Sequence, residues 1–122
     1  MKSHIVRFLA LSALLFCSFA FAESESASGE VMEKCKMGTK PAVPNGRTAT
    51  EEEMLNAQKG LKAYLADGDA YTACLKQVEA GWGEAVTEEQ KAVIVIFHNR
   101  AVDEMQSTAD LFNQAVRAFK GR

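Results

Sequence analysis

Twice in this chain a threonine opens a helix in the same way. Thr50 is followed three residues later by Glu53, and Thr87 three residues later by Gln90. In each pair the hydroxyl can accept from the backbone amide of the third residue, whose side chain can reach back to the threonine amide. Glu51, Glu52 and Glu53 in one first turn, and Glu88 and Glu89 in the other, suit the positive end of a helix dipole. An apolar repeat with steps of three and four follows each start. In the first it runs through Met54, Ala57, Leu61, Tyr64, Leu65, Tyr71, Leu75 and Val78. In the second it runs through Ile94, Phe97, Ala101, Met105, Ala109, Phe112, Val116 and Phe119. That spacing places each set on one helix face. Val93, Val95 and Ile96 are β-branched and could form a strand, but the helical period continues past them to Phe119. Gly60 and Gly68 weaken the first helix by up to about 1 kcal/mol each, and Gly68 lies on the apolar stripe, where a missing side chain permits close approach. Gly81, Trp82 and Gly83 end the first run, and Gly121 closes the second. The expectation is an all-α fold: an antiparallel two-helix hairpin over about 51–80 and 88–119. Each helix has about 30 residues and a length of about 45 Å.

The most hydrophobic segment is excluded from that fold. Lys2, His4 and Arg7 precede an apolar run from Phe8 to Phe21, and Ala20, Phe21 and Ala22 form the small-x-small pattern a signal peptidase accepts. The chain then turns polar at Glu23. This order predicts a secretory signal over residues 1–22, cleaved after Ala22. An uncleaved anchor is disfavoured, because a run of about 14 residues is shorter than the roughly 20 that span a bilayer. Lipid attachment at Cys17 is rejected, since Phe16 stands where a small residue is needed. The predicted location is periplasmic or secreted. Removing Lys2 and Arg7 from 14 basic and 16 acidic residues leaves 12 and 16, a net charge of about −4. Such a surface argues against nucleic acid, whose expected footprint is a basic stripe. No second segment is long enough to span a membrane.

Cleavage leaves two cysteines, Cys35 and Cys74. In an exported chain the economical reading is one disulfide, with free thiols or a metal site as alternatives. Neither has a neighbouring Cys or His at ligand spacing. Residues 23–34 are rich in Ser and Glu and read as a flexible leader. Residues 35–49 hold Pro41, Pro44 and the turn dipeptide Asn45-Gly46, and read as an extended segment tied to the body by Cys35. The helical hairpin domain is thus 35–122. A bridge to Cys74 would lay the proline segment along the first helix toward the Trp82 end. A lone hairpin buries little core. Either the extended segment adds a third layer, or two copies form a four-helix homodimer.

Few residues suggest chemistry. His98 is the one histidine after cleavage. A metal or acid–base role needs partners, and Asp103 and Glu104, five and six residues on, are poor same-face matches. The acid clusters at the helix starts are explained by capping and dipole, and Asp67 and Asp69 around Gly68 lack the rest of a calcium loop. Tyr64, Tyr71, Phe97, Phe112 and Phe119 read as core. Trp82, between two glycines at the hairpin tip, either caps the core or stands exposed as a contact. No nucleophile has a visible base partner and no phosphate loop appears. No catalytic residue, metal ligand or cofactor is assigned.

The order Cys35, Pro41, Pro44, Gly46, Thr50, Glu53, Met54, Gln58, Tyr64, Tyr71 and Cys74, continuing through Val102, Asp103, Glu104 and Met105, resembles a family of small exported helical proteins of Gram-negative bacteria. That resemblance covers most of the mature chain. It implies a periplasmic location, a helical fold and the Cys35–Cys74 bridge, and it transfers no site residues. The function expected is non-enzymatic binding or envelope association with a protein partner, through helix faces or Trp82. A periplasmic chaperone or inhibitor, and a metal protein or enzyme centred on His98, are the alternatives.

Overall fold

The computed structural model describes residues 19–122, with side chains from residue 24. The predicted signal over residues 1–22 therefore lies, as far as residue 18 and with Cys17, outside the described residues. Three helices follow in order: α1 (Phe19–Lys34), α2 (Glu51–Gly81) and α3 (Glu88–Lys120). Among the described residues there is no strand.

Both predicted helix starts form. Glu53 N donates to Thr50 Oγ1 at 3.1 Å, and Thr50 N to Glu53 Oε2 at 2.7 Å. Gln90 N donates to Thr87 Oγ1 at 3.2 Å, and Thr87 N to Gln90 Oε1 at 2.9 Å. Each box satisfies two amides that the first turn of a helix leaves without partners. Helix α2 ends where Gly83 takes φ +73°, the left-handed conformation that glycine enters without steric cost.

The α2–α3 pair is held close at its middle by the absence of a side chain. A Cβ on Gly68 would lie 2.0 Å from Met105 Sδ, so the thioether fills the space a larger residue would need. Next to this crossing, Tyr64 and Thr108 are fully buried. Thr108 Oγ1 donates to the Glu104 carbonyl at 2.7 Å, while the Tyr64 hydroxyl has no hydrogen-bond partner among the described residues. Burial, and then the charge of Glu104, push the Tyr64 phenol above its ordinary pKa.

The hairpin does not stand alone, and the two-helix description is corrected to three helices. Residues 23–34, expected as a flexible leader, belong to α1. Ala27 is 3% exposed and Val31 0%, and with Cys35 they form a stripe at four-residue spacing. This stripe packs on Leu75 and Val78 of α2 and on Val93 and Ile94 of α3. Three residues suffice to dock a helix whose remaining described surface is mostly polar, because the bridge and a hydrogen bond from Trp82 hold it as well.

The disulfide joins Cys35 to Cys74, with a Cα–Cα distance of 5.7 Å. From Cys35 the proline segment runs away from the Trp82 end, opposite to the expected direction. Gly38 meets Asp67, Pro41 meets Gly60, and Gly46 meets Ala115 and Phe119. The segment is thus antiparallel to α2 and parallel to α3. We call it the strap. It covers a second core of Ala49, Met54, Phe112 and Ala115, with Val43, Leu61 and Phe119 at its margin. The third layer therefore has two parts that diverge from Cys35: α1 over the hairpin tip and the strap over the open end.

Candidate functional site

The strap and the second half of α3 enclose an open groove. Its strap wall carries Lys40, Val43, Pro44 and Arg47, and its α3 wall carries Thr108, Leu111, Gln114, Ala115 and Ala118.

The strap wall is shaped by a turn. Asn45 Oδ1 accepts from Arg47 N at 3.0 Å, and the Asn45 carbonyl accepts from Thr48 N at 3.1 Å and Ala49 N at 2.8 Å. Asparagine holds such turns because its side chain substitutes for a backbone acceptor. The turn is seated by Gly46, which is buried. A Cβ there would fall 1.9 Å from the Ala115 carbonyl oxygen, so only glycine permits the observed contact of strap and helix backbone.

The α3 wall presents Leu111, 47% exposed, among Thr108, Gln114, Ala115 and Ala118. The cations on the strap side are exposed, and neither Lys40 nor Arg47 belongs to an ion pair among the described residues. Arg122 lies over the Phe119 ring at 4.2 Å and donates from a guanidinium nitrogen to the Arg47 carbonyl at 3.3 Å. It ties the residues after α3 to the strap.

The residues singled out in the sequence lie elsewhere. Trp82 is half-buried against the tip core, and its Nε1 donates to Glu30 Oε2 at 2.7 Å. Its indole N–H is already committed within the molecule, which speaks for the capping reading. Glu30 also accepts from Lys34 Nζ at 2.6 Å. The lysine bond, followed by the Trp82 bond, holds the Glu30 carboxyl below its ordinary pKa. His98 is half-buried on α3, and no group of three or more potential metal ligands occurs among the described residues. Glu51, Glu52, Glu88 and Glu89 are exposed at the helix starts. Cys35 and Cys74 are joined and act as structure.

Sequence reasoning missed Lys40, Arg47 and Leu111 as a set. Leu111 is more than sixty positions from either cation, and only the docking of the strap unites them. The available signal was Asn45-Gly46 followed directly by Arg47: a turn that delivers a cation to whatever its glycine is pressed against. Comparisons of the chain with protein-family models, curated proteins and solved structures found no match.

Proposed function

We propose that this is an exported, non-enzymatic binding protein that holds a partner protein in the groove between strap and α3. The observation that carries the reading is the groove's construction. The strap, held by a turn that Asn45 locks and Gly46 seats, brings exposed Lys40 and Arg47 to the same groove as exposed Leu111. Of the five exposed large apolar side chains among the described residues, Met32, Leu55, Val95, Ile96 and Leu111, it is Leu111 that lies in this groove, beside the two cations. Export is supported by the order of residues 1–22, and the Cys35–Cys74 bridge is consistent with an oxidising compartment. No helix of the described residues is long and apolar enough to cross a membrane. Cleavage after Ala22 would leave α1 beginning at Glu23, with its buried stripe intact.

The test is photo-crosslinking in cells from a reactive residue at Leu111, with the same residue at Leu55, exposed on α2, as control. The expected result is a discrete partner captured from position 111 and not from 55, on a chain whose N-terminus is Glu23. Equal capture from both positions would overturn the groove reading, and an intact N-terminus the export reading.

A further inference from the structure

We infer that the groove takes a short, extended, acidic segment of its partner. This rests on the binding reading above and assigns its ligand a chemistry. The first argument is charge. After removal of residues 1–22 the chain is net acidic, yet the groove is lined by Lys40 and Arg47 and by no carboxylate. The other cations from Thr108 onward have internal explanations. Arg117 and Lys120 lie in the last turn of α3, where the helix dipole favours positive charge, and Arg122 is stacked on Phe119. Lys40 and Arg47 have no such partner: neither sits at a helix terminus or in an ion pair among the described residues.

The second argument is shape. The strap runs in the direction of α3, with Gly46 over Ala115 and Phe119. That places Arg47 toward the Ala118 end of the groove and Lys40 toward the Thr108 end. From Thr108 to Ala118, at about 1.5 Å per residue, the helix wall is about 15 Å long. An extended chain advances about 3.3 Å per residue, so four to five residues fill it. The complementary segment carries acids at both ends and an apolar residue between them, over Leu111 and Val43. The exposed Gln114 amide can both donate to and accept from its backbone. An anionic membrane carries the same charge but fits less well. Glu51, Glu52 and Glu53 stand exposed at the same pole, at the start of α2, and would repel a flat anionic sheet while leaving a concave groove open to a single strand.

The experiment uses the purified chain from Glu23 to Arg122 with its disulfide intact. A fluorescein-labelled peptide of about five residues, leucine at the centre and acids on both sides, is titrated by anisotropy. Controls are the same peptide with glutamine for each acid, and vesicles of phosphatidylglycerol. The acidic peptide is expected to bind at least tenfold more tightly than the glutamine peptide. Binding should weaken at least tenfold in K40E/R47E, with unchanged circular dichroism, and should weaken as salt rises from about 50 to 300 mM. Equal binding of the glutamine peptide, an unaffected double variant, no binding of the acidic peptide, or preferential vesicle binding would each overturn the assignment. If Leu111 crosslinks a partner in cells while the acidic peptide fails, the ligand class is wrong and the groove stands. If Leu111 crosslinks nothing specific, the binding reading itself has failed.

Discussion

Substituting Gly46 by alanine isolates the seating of the strap. The added Cβ would lie 1.9 Å from the Ala115 carbonyl oxygen and 3.0 Å from Phe119 N, both backbone atoms of α3. Neither atom can move without disturbing the helix, so the strap must lift. Forcing one extra carbon into a packed contact costs about 1–3 kcal/mol. Alanine also restricts the unfolded chain, which returns about 0.4–1 kcal/mol where the backbone conformation suits it. Gly46 is not among residues with positive φ, so this gain applies. The net expectation is a loss of about 1–2 kcal/mol. For a domain of this size that lowers the melting temperature by roughly 5–15 °C. Gly29→Ala is the internal control: nothing lies within 4 Å of its Cβ, and alanine inside a helix stabilises by up to about 1 kcal/mol. Urea and thermal unfolding followed by far-ultraviolet circular dichroism measure both. If Gly46→Ala is as stable as the parent or more so, the strap is not seated on α3, and the groove does not exist as described.

Further expectations address the tip. Val31→Ala removes two fully buried methyl groups and should cost about 2 kcal/mol or slightly more. Met32→Ala, 54% exposed, should cost almost nothing; equal effects in urea melts would mean that α1 is not docked by its Ala27–Val31 face. Because the folded Glu30 carboxyl titrates below its ordinary value, its contribution is present above that value and is lost as pH falls through the lowered one. Emission from Trp82, the one tryptophan, should change in that acid window, and Glu30→Gln should abolish the change; an identical transition in the variant would refute the Trp82–Glu30 bond. Replacing Cys35 and Cys74 together by alanine frees a loop with a sequence separation of 39. The chain-entropy model assigns that loop about 4 kcal/mol. An unfolding free energy within about 1 kcal/mol of the parent would show that the bridge constrains little.

The parts of this fold legible in the sequence were those encoded locally. Thr50 with Glu53 and Thr87 with Gln90 specify helix starts through contacts three residues long, and both helices begin where these pairs place them. Gly68 was legible because it interrupts an apolar stripe, and Met105 occupies the gap. Helix α1 was not legible. Its apolar signal is only Ala27, Val31 and Cys35, diluted by serines and glutamates, and its docking relies on Trp82 and Cys74, both about forty or more positions away. The course of the strap was equally hidden. A bridge states that Cys35 and Cys74 are neighbours but carries no direction, and the direction is set by how Gly38, Pro41 and Gly46 fit against α2 and α3.

Because Cys35 sits at the joint between α1 and the strap, the bridge has a consequence for backbone damage. Cleavage of any single peptide bond between Cys35 and Cys74 produces two chains that remain covalently linked. A nick beside the exposed Arg47 or Thr48 of the strap turn would leave α1 fastened to Cys74 and α3 continuous with α2. The nicked molecule would gain only one water and stay in one piece until reduced. A cut among residues 83–87, between α2 and α3, has no such insurance, since α3 contains no cysteine and is retained by packing alone. Resistance to proteolysis is therefore unequally distributed: the loop that forms the groove is the one the molecule can survive losing.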